Sequence, residues 1–131
     1  MNTLFMIAIV ASLSAPVFLE AAKRESPLAC DRAALNADQR KRHFDELGPA
    51  LRSLRKSTRE LPDGFEFEFP ADAATYQLLA EWVGGERLCC PFFDINLQVQ
   101  REGGPLWLRL TGREGVKQFI KTDLPRDWFK P

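Results

Sequence analysis

The sequence predicts an α+β fold, a two-layer single domain in which helices cover one face of a three-stranded sheet. Three observations point to it. Phe93, Ile95, Leu97 and Val99 alternate with Asp94, Asn96, Gln98 and Gln100, and Leu106, Leu108 and Leu110 alternate with Trp107, Arg109 and Thr111. That is the two-residue period of a strand with one buried face. Phe65-Glu66-Phe67-Glu68-Phe69 repeats the pattern with aromatic residues. Phe44, Leu47, Leu51 and Leu54 instead recur at steps of three and four, one apolar stripe of a helix. Elements with a single apolar face must cover one another, which requires two layers.

Taken in order, residues 1–22 form an apolar N-terminal segment broken by Ser12, Ser14 and Pro16. Its core from Leu4 to Leu19 would span roughly 24 Å as a helix, short of the ~30 Å hydrocarbon layer. A signal peptide, an uncleaved membrane anchor and a mis-assigned start compete here. Ala21-Ala22 offers small residues for cleavage, whereas Lys23-Arg24 follows the run and no basic residue precedes it. Each reading keeps the segment out of the fold and makes it the sole source of membrane contact. Location follows the same choice: exported or membrane-associated with a signal or anchor, cytoplasmic without one.

The α+β domain is expected over residues 28–124. Asn36 and Gln39 have the spacing of a capping box at the start of the first helix. Gly48-Pro49 predicts a kink or two short helices, because proline lacks a donor and disfavours helix in the residue before it. Leu61-Pro62-Asp63-Gly64 reads as a turn in which glycine permits positive φ. Glu66 and Glu68 are expected to face solvent. Asp72 can cap a second helix bearing Tyr76, Leu79, Ala80 and Val83, and Gly84-Gly85 threatens its continuation. If it reaches Cys90, Arg87 and Cys90 fall on the buried stripe and Cys89 points sideways. Glu102-Gly103-Gly104-Pro105 joins residues 93–100 and 105–111 into a hairpin. Thr111 and Glu114 suggest a capping box for a last helix carrying Val116, Phe119 and Ile120. The tail, residues 125–131, contains Trp128 and Phe129, which pack on the domain. The expected order is helix, strand, helix, strand, strand, helix.

The chain has 131 residues, with 18 basic and 18 acidic side chains that cancel. This balance provides no electrostatic attraction for nucleic acid. A single histidine, His43, argues against a His-rich metal site and against a Ser-His-Asp arrangement. The reading therefore leans away from an enzyme.

The distinctive chemistry lies in three cysteines, Cys30, Cys89 and Cys90. An odd number excludes a complete disulfide framework. Adjacent Cα atoms lie about 3.8 Å apart, whereas disulfides prefer roughly 4.4–6.8 Å, so a Cys89–Cys90 bond would be strained. No Cys-x-x-Cys spacing suggests structural zinc. Cys30, Cys89 and Cys90 together would suit a soft metal ion or a thiol ligand, with Arg87 placed to lower a thiol pKa; thiol-redox catalysis is a weaker reading, because a redox pair more often shows Cys-x-x-Cys at a helix start. Folding the first helix onto the sheet brings Cys30 toward the helix-to-strand junction. Closeness there permits a disulfide under oxidising conditions or a shared ion under reducing ones. Cysteine also packs as a small buried hydrophobe, so purely structural cysteines in a non-enzymatic interaction module form the alternative. Such a module would dock through Trp107 and the polar strand face. A small apolar ligand between sheet and helices is a further reading of the ten phenylalanines.

The chain contains Ala29-Cys30-Asp31, Leu61-Pro62-Asp63-Gly64-Phe65, Ala80-Glu81-Trp82-Val83, Glu86-Arg87-Leu88-Cys89-Cys90-Pro91-Phe92-Phe93 and Gly104-Pro105-Leu106-Trp107-Leu108-Arg109-Leu110-Thr111-Gly112, stretches that carry a resemblance. Over residues 28–124 the chain resembles a family of small uncharacterised bacterial proteins marked by Glu-Arg-x-Cys-Cys-Pro-Phe. The resemblance implies no activity, cofactor or protein partner.

Overall fold

A computed structural model describes residues 24–131. The apolar segment over residues 1–22 lies outside the described residues. The predicted α+β class holds, with a single antiparallel sheet, but the sheet has four strands in the order β1-β2-β4-β3. They are β1 (Ser57–Leu61), β2 (Gly64–Phe69), β3 (Asp94–Val99) and β4 (Leu106–Thr111).

The additional strand is β1, an edge strand without the apolar alternation of the others. Its side chains serve other contacts. Thr58 donates a hydrogen bond to the Trp128 carbonyl, and the Arg59 guanidinium lies 3.8 Å from the centroid of the Trp107 ring. The β1–β2 turn needs no positive φ at Gly64. Glycine is required there for a different reason. A Cβ would come within 1.9 Å of the Leu110 carbonyl oxygen, so only glycine lets β2 start against β4.

The β3–β4 hairpin has the expected register, with Leu97 opposite Leu108 and Gln98 opposite Trp107. Glu102 and Gly103 take positive φ, 60° and 71°, in its turn. Phe67, Phe69, Leu108 and Leu110 are fully buried on the inner face. The outer face is polar but not uniformly solvated. Glu66 is buried, contrary to expectation, because Arg59 and Arg109 flank its carboxylate at 3.4 and 2.9 Å.

The first helical segment starts with the predicted Asn36–Gln39 capping box. It comprises α1 (Ala37–Arg40), a π-helical stretch (Lys41–Leu47) and α2 (Gly48–Leu54), helical throughout rather than split. The π stretch ends where Pro49 would otherwise disrupt an α-helix. The Gly48 N–H donates to the His43 carbonyl, five residues back, and Pro49 occupies an early position of α2 where no donor is needed. Leu47 and Leu51 point into the core as the stripe predicts.

Helix α3 (Ala73–Cys89) begins at the predicted Asp72 cap and continues through both glycines. Its buried line is Thr75, Leu79, Trp82, Glu86 and Cys89, one step around from the expected one; Tyr76 is exposed. Helix α4 (Val116–Asp123) has no side-chain cap, since Thr111 remains in β4 and Gly115 begins the turn at φ 91°. A short 3-10 turn, Arg126–Trp128, closes the chain. Trp128 is buried, its ring 4.9 Å from that of Phe67 and 6.3 Å from that of Trp82.

Candidate functional site

The site is built where the π-helical stretch touches the C-terminal half of α3. Two glycines inside a helix cost about 1 kcal/mol each relative to alanine, and Gly85 has a reason to be there. A Cβ on Gly85 would lie 2.6 Å from Nδ1 of His43. The bare backbone therefore seats the imidazole, which stacks on Trp82 at 5.5 Å and meets Phe44 edge-on at 4.7 Å.

From that seat His43 Nε2 lies 2.8 Å from Oε2 of Glu86, with both side chains buried. His43 Nδ1 is buried without a partner. A hydrogen on Nδ1 would be an unsatisfied donor, so the hydrogen belongs on Nε2, donating to the carboxylate.

Helix α3 ends at Cys89, and Cys90 leaves the helical region at φ −125°, ψ 67°. Both cysteines are fully buried. The N-terminal arm reaches this corner through a hydrogen bond from the Asp31 N–H to the Cys89 carbonyl, 2.7 Å. A disulfide joins Cys30 to Cys90 with a Cα–Cα separation of 4.9 Å. The expected meeting of Cys30 with the paired cysteines is therefore present, and the bond is not the strained vicinal one. Sγ atoms of Cys30, Cys89 and Cys90 and a Glu86 carboxylate oxygen all lie within 4.8 Å of one another.

Cys89 remains a free thiol. Its sulfur is 3.7 Å from Glu86 Oε2 and 3.8 Å from Cys90 Sγ. The disulfide sulfur carries no hydrogen, so the single Cys89 S–H is the donor available to either contact. Burial, followed by the nearby Glu86 charge, pushes its pKa up to about 12. The expected lowering by Arg87 is overturned: Arg87 is exposed, while the buried carboxylate of the preceding residue opposes a thiolate. The negative end of α3 acts in the same direction.

No family model matches the chain, and no curated protein or solved structure matches it. The corner has to be read on its own chemistry.

Beside the disulfide lies a cleft of about 690 Å³, with Cys30, His43, Glu86 and Asp123 in its lining. Burial raises the pKa of Asp123 despite the opposing charge of Arg32. Cys89 and Cys90 lie behind the cleft wall and do not line it. In all, the structure brings together Cys30, Cys89 and Cys90, the three residues singled out from the sequence. It adds His43, Glu86 and Asp123, which sequence reasoning missed. Gly85, a glycine followed by an acid in a helix interior, was the one local signal available. Among the described residues no helix is long and apolar enough to cross a membrane.

Proposed function

We propose that the protein binds a soft metal ion through Cys30, Cys89 and Cys90, with Glu86 as the oxygen ligand, and that the Cys30–Cys90 disulfide switches this site off. The observation that carries the reading is the clustering of three sulfurs and one carboxylate oxygen within 4.8 Å. Thiolates about 2.3 Å from a shared ion are separated from one another by roughly 3.8–4.0 Å. The Cys89–Cys90 sulfur distance of 3.8 Å already fits that spacing. Three sulfur ligands favour a thiophilic ion over magnesium or calcium. His43 holds Glu86 through a hydrogen bond, as outer partners commonly orient metal ligands.

The disulfide uses two of the three sulfurs, so only the reduced protein has the full donor set. Binding must also displace the proton that burial keeps on Cys89, and uptake of the ion should acidify the medium. Cadmium titration of oxidised and reduced protein tests this. Reduced protein should take up one equivalent, with a sulfur-to-cadmium charge-transfer band and proton release, whereas oxidised protein should take up none. Cys89→Ser should weaken binding by at least about tenfold. Equal uptake in both redox states, or none in either, refutes the proposal. The latter result would leave structural cysteines, with the disulfide pinning the N-terminal arm to the end of α3.

A further inference from the structure

The cleft presents one sulfur of the disulfide and withholds the other. Cys30 is partly exposed and lines the cavity, whereas Cys90 is fully buried behind it. Any thiol that reduces this bond from the cleft must therefore attack Cys30 and expel Cys90. We infer that the cleft is a binding site for a small cysteinyl thiol, a molecule carrying a sulfhydryl, carboxylates and an amino group, which forms a mixed disulfide with Cys30.

The walls supply groups of matching sign. Arg32 and Arg52 line the cleft, and neither forms a salt bridge with a described residue. The Arg32 guanidinium is held 3.8 Å from the centroid of the Phe44 ring, a cation–π contact that leaves its edge free for a carboxylate. Asp45, exposed on the same lining, suits an ammonium group. About 690 Å³ lies within the range of small-molecule sites. Glu86, the remaining acid of the lining apart from Asp123, is engaged by His43.

Asp123 and Cys89 flank the reacting sulfurs. An Asp123 oxygen lies 3.9 Å from Cys30 Sγ, where it can accept the proton of an incoming sulfhydryl. The sulfur of the ligand bonds to Cys30 Sγ, the Cys30–Cys90 bond breaks, and its electron pair remains on Cys90 Sγ. The Cys89 S–H, 3.8 Å away, can donate a hydrogen bond to that leaving thiolate. Cys90 then takes up one proton from solvent, equal to the one Asp123 returns. One disulfide is exchanged for another, with no external oxidant. The inference concerns the oxidised protein and stands whether or not the reduced site binds metal.

Glutathione is a suitable probe, with 2-mercaptoethanol as the uncharged comparison. Oxidised protein is mixed with each thiol at equal thiolate concentration, quenched with acid and mapped by peptide mass. Glutathione should react at least about tenfold faster and leave its adduct on Cys30. Combining Arg32→Gln with Arg52→Gln should remove about tenfold from the glutathione rate and leave the 2-mercaptoethanol rate within about twofold. Unchanged thermal melting of that variant checks that it folds. Equal rates for the two thiols, an adduct on Cys89 or Cys90, or equal slowing of both reactions in the variant overturns the inference.

Discussion

Gly84 and Gly85 are neighbours in one helix, yet alanine at each should change stability in opposite directions. At Gly84 a Cβ meets nothing within 4 Å. Gly84→Ala therefore gains helix propensity alone, about 1 kcal/mol, which raises the melting temperature by roughly 3–5 °C for a chain of this size. At Gly85 the same gain is outweighed. The new Cβ would lie 2.6 Å from Nδ1 and 3.2 Å from two carbons of the His43 ring. This ring is no flexible tip that can swing aside. It is stacked on Trp82, abuts Phe44 and is tied to Glu86. Overpacking of this kind costs about 1–3 kcal/mol. Displacing the imidazole also strips a buried carboxylate of its hydrogen bond, about 1.5–3 kcal/mol more. After the propensity gain, Gly85→Ala should be destabilising by about 1.5–5 kcal/mol. Urea unfolding of the oxidised chain, followed by circular dichroism, reads both variants through the midpoint at constant slope. A Gly85→Ala protein as stable as Gly84→Ala would refute the close approach of His43 to α3, and with it the account of how Glu86 is held.

Cys89 makes stability depend on alkaline pH. Its folded pKa is raised from an ordinary 9.0 to about 12, so the fold favours the protonated thiol. That contribution is fully present below the unfolded value and should decline as pH rises from 9.0 towards about 12. Thiolate absorbance of the native, disulfide-bonded protein measures it, and a midpoint below the ordinary thiol value would contradict the burial argument. Trp128→Ala should cost about 3–5 kcal/mol, because its buried ring packs against Phe67, Phe69 and Trp82. Ending the chain after Leu124 should cost at least as much in the same unfolding assay. A loss under about 1 kcal/mol would remove the tail from the core.

Elements whose local pattern and tertiary role agree could be read without a structure. The β3–β4 hairpin is one, since Leu97 and Leu108 face inward for the same reason that they alternate with polar neighbours. Asn36 and Asp72 are others, because a cap forms from residues three apart in the chain. The α+β class and the buried Leu47–Leu51 stripe follow from the same local periodicity. Strand β1 carries no apolar alternation to read, and the value of Thr58 and Arg59 lies in Trp128 and Trp107, far away in the chain. The buried face of α3 departs from its apolar spacing for a related reason. Glu86 is buried in place of an apolar residue because His43, 43 positions earlier, supplies its partner.

The cysteine corner divides along the same line. Composition alone marks Cys30, Cys89 and Cys90 as the residues with chemistry and excludes a complete disulfide framework. Which two bond, which one stays a thiol, and which way its pKa moves depend on the path of the N-terminal arm past the end of α3. Side-chain identity determines what a group can do. Only the packing of distant segments determines the burial and neighbouring charge that select among those options, and no local pattern encodes that.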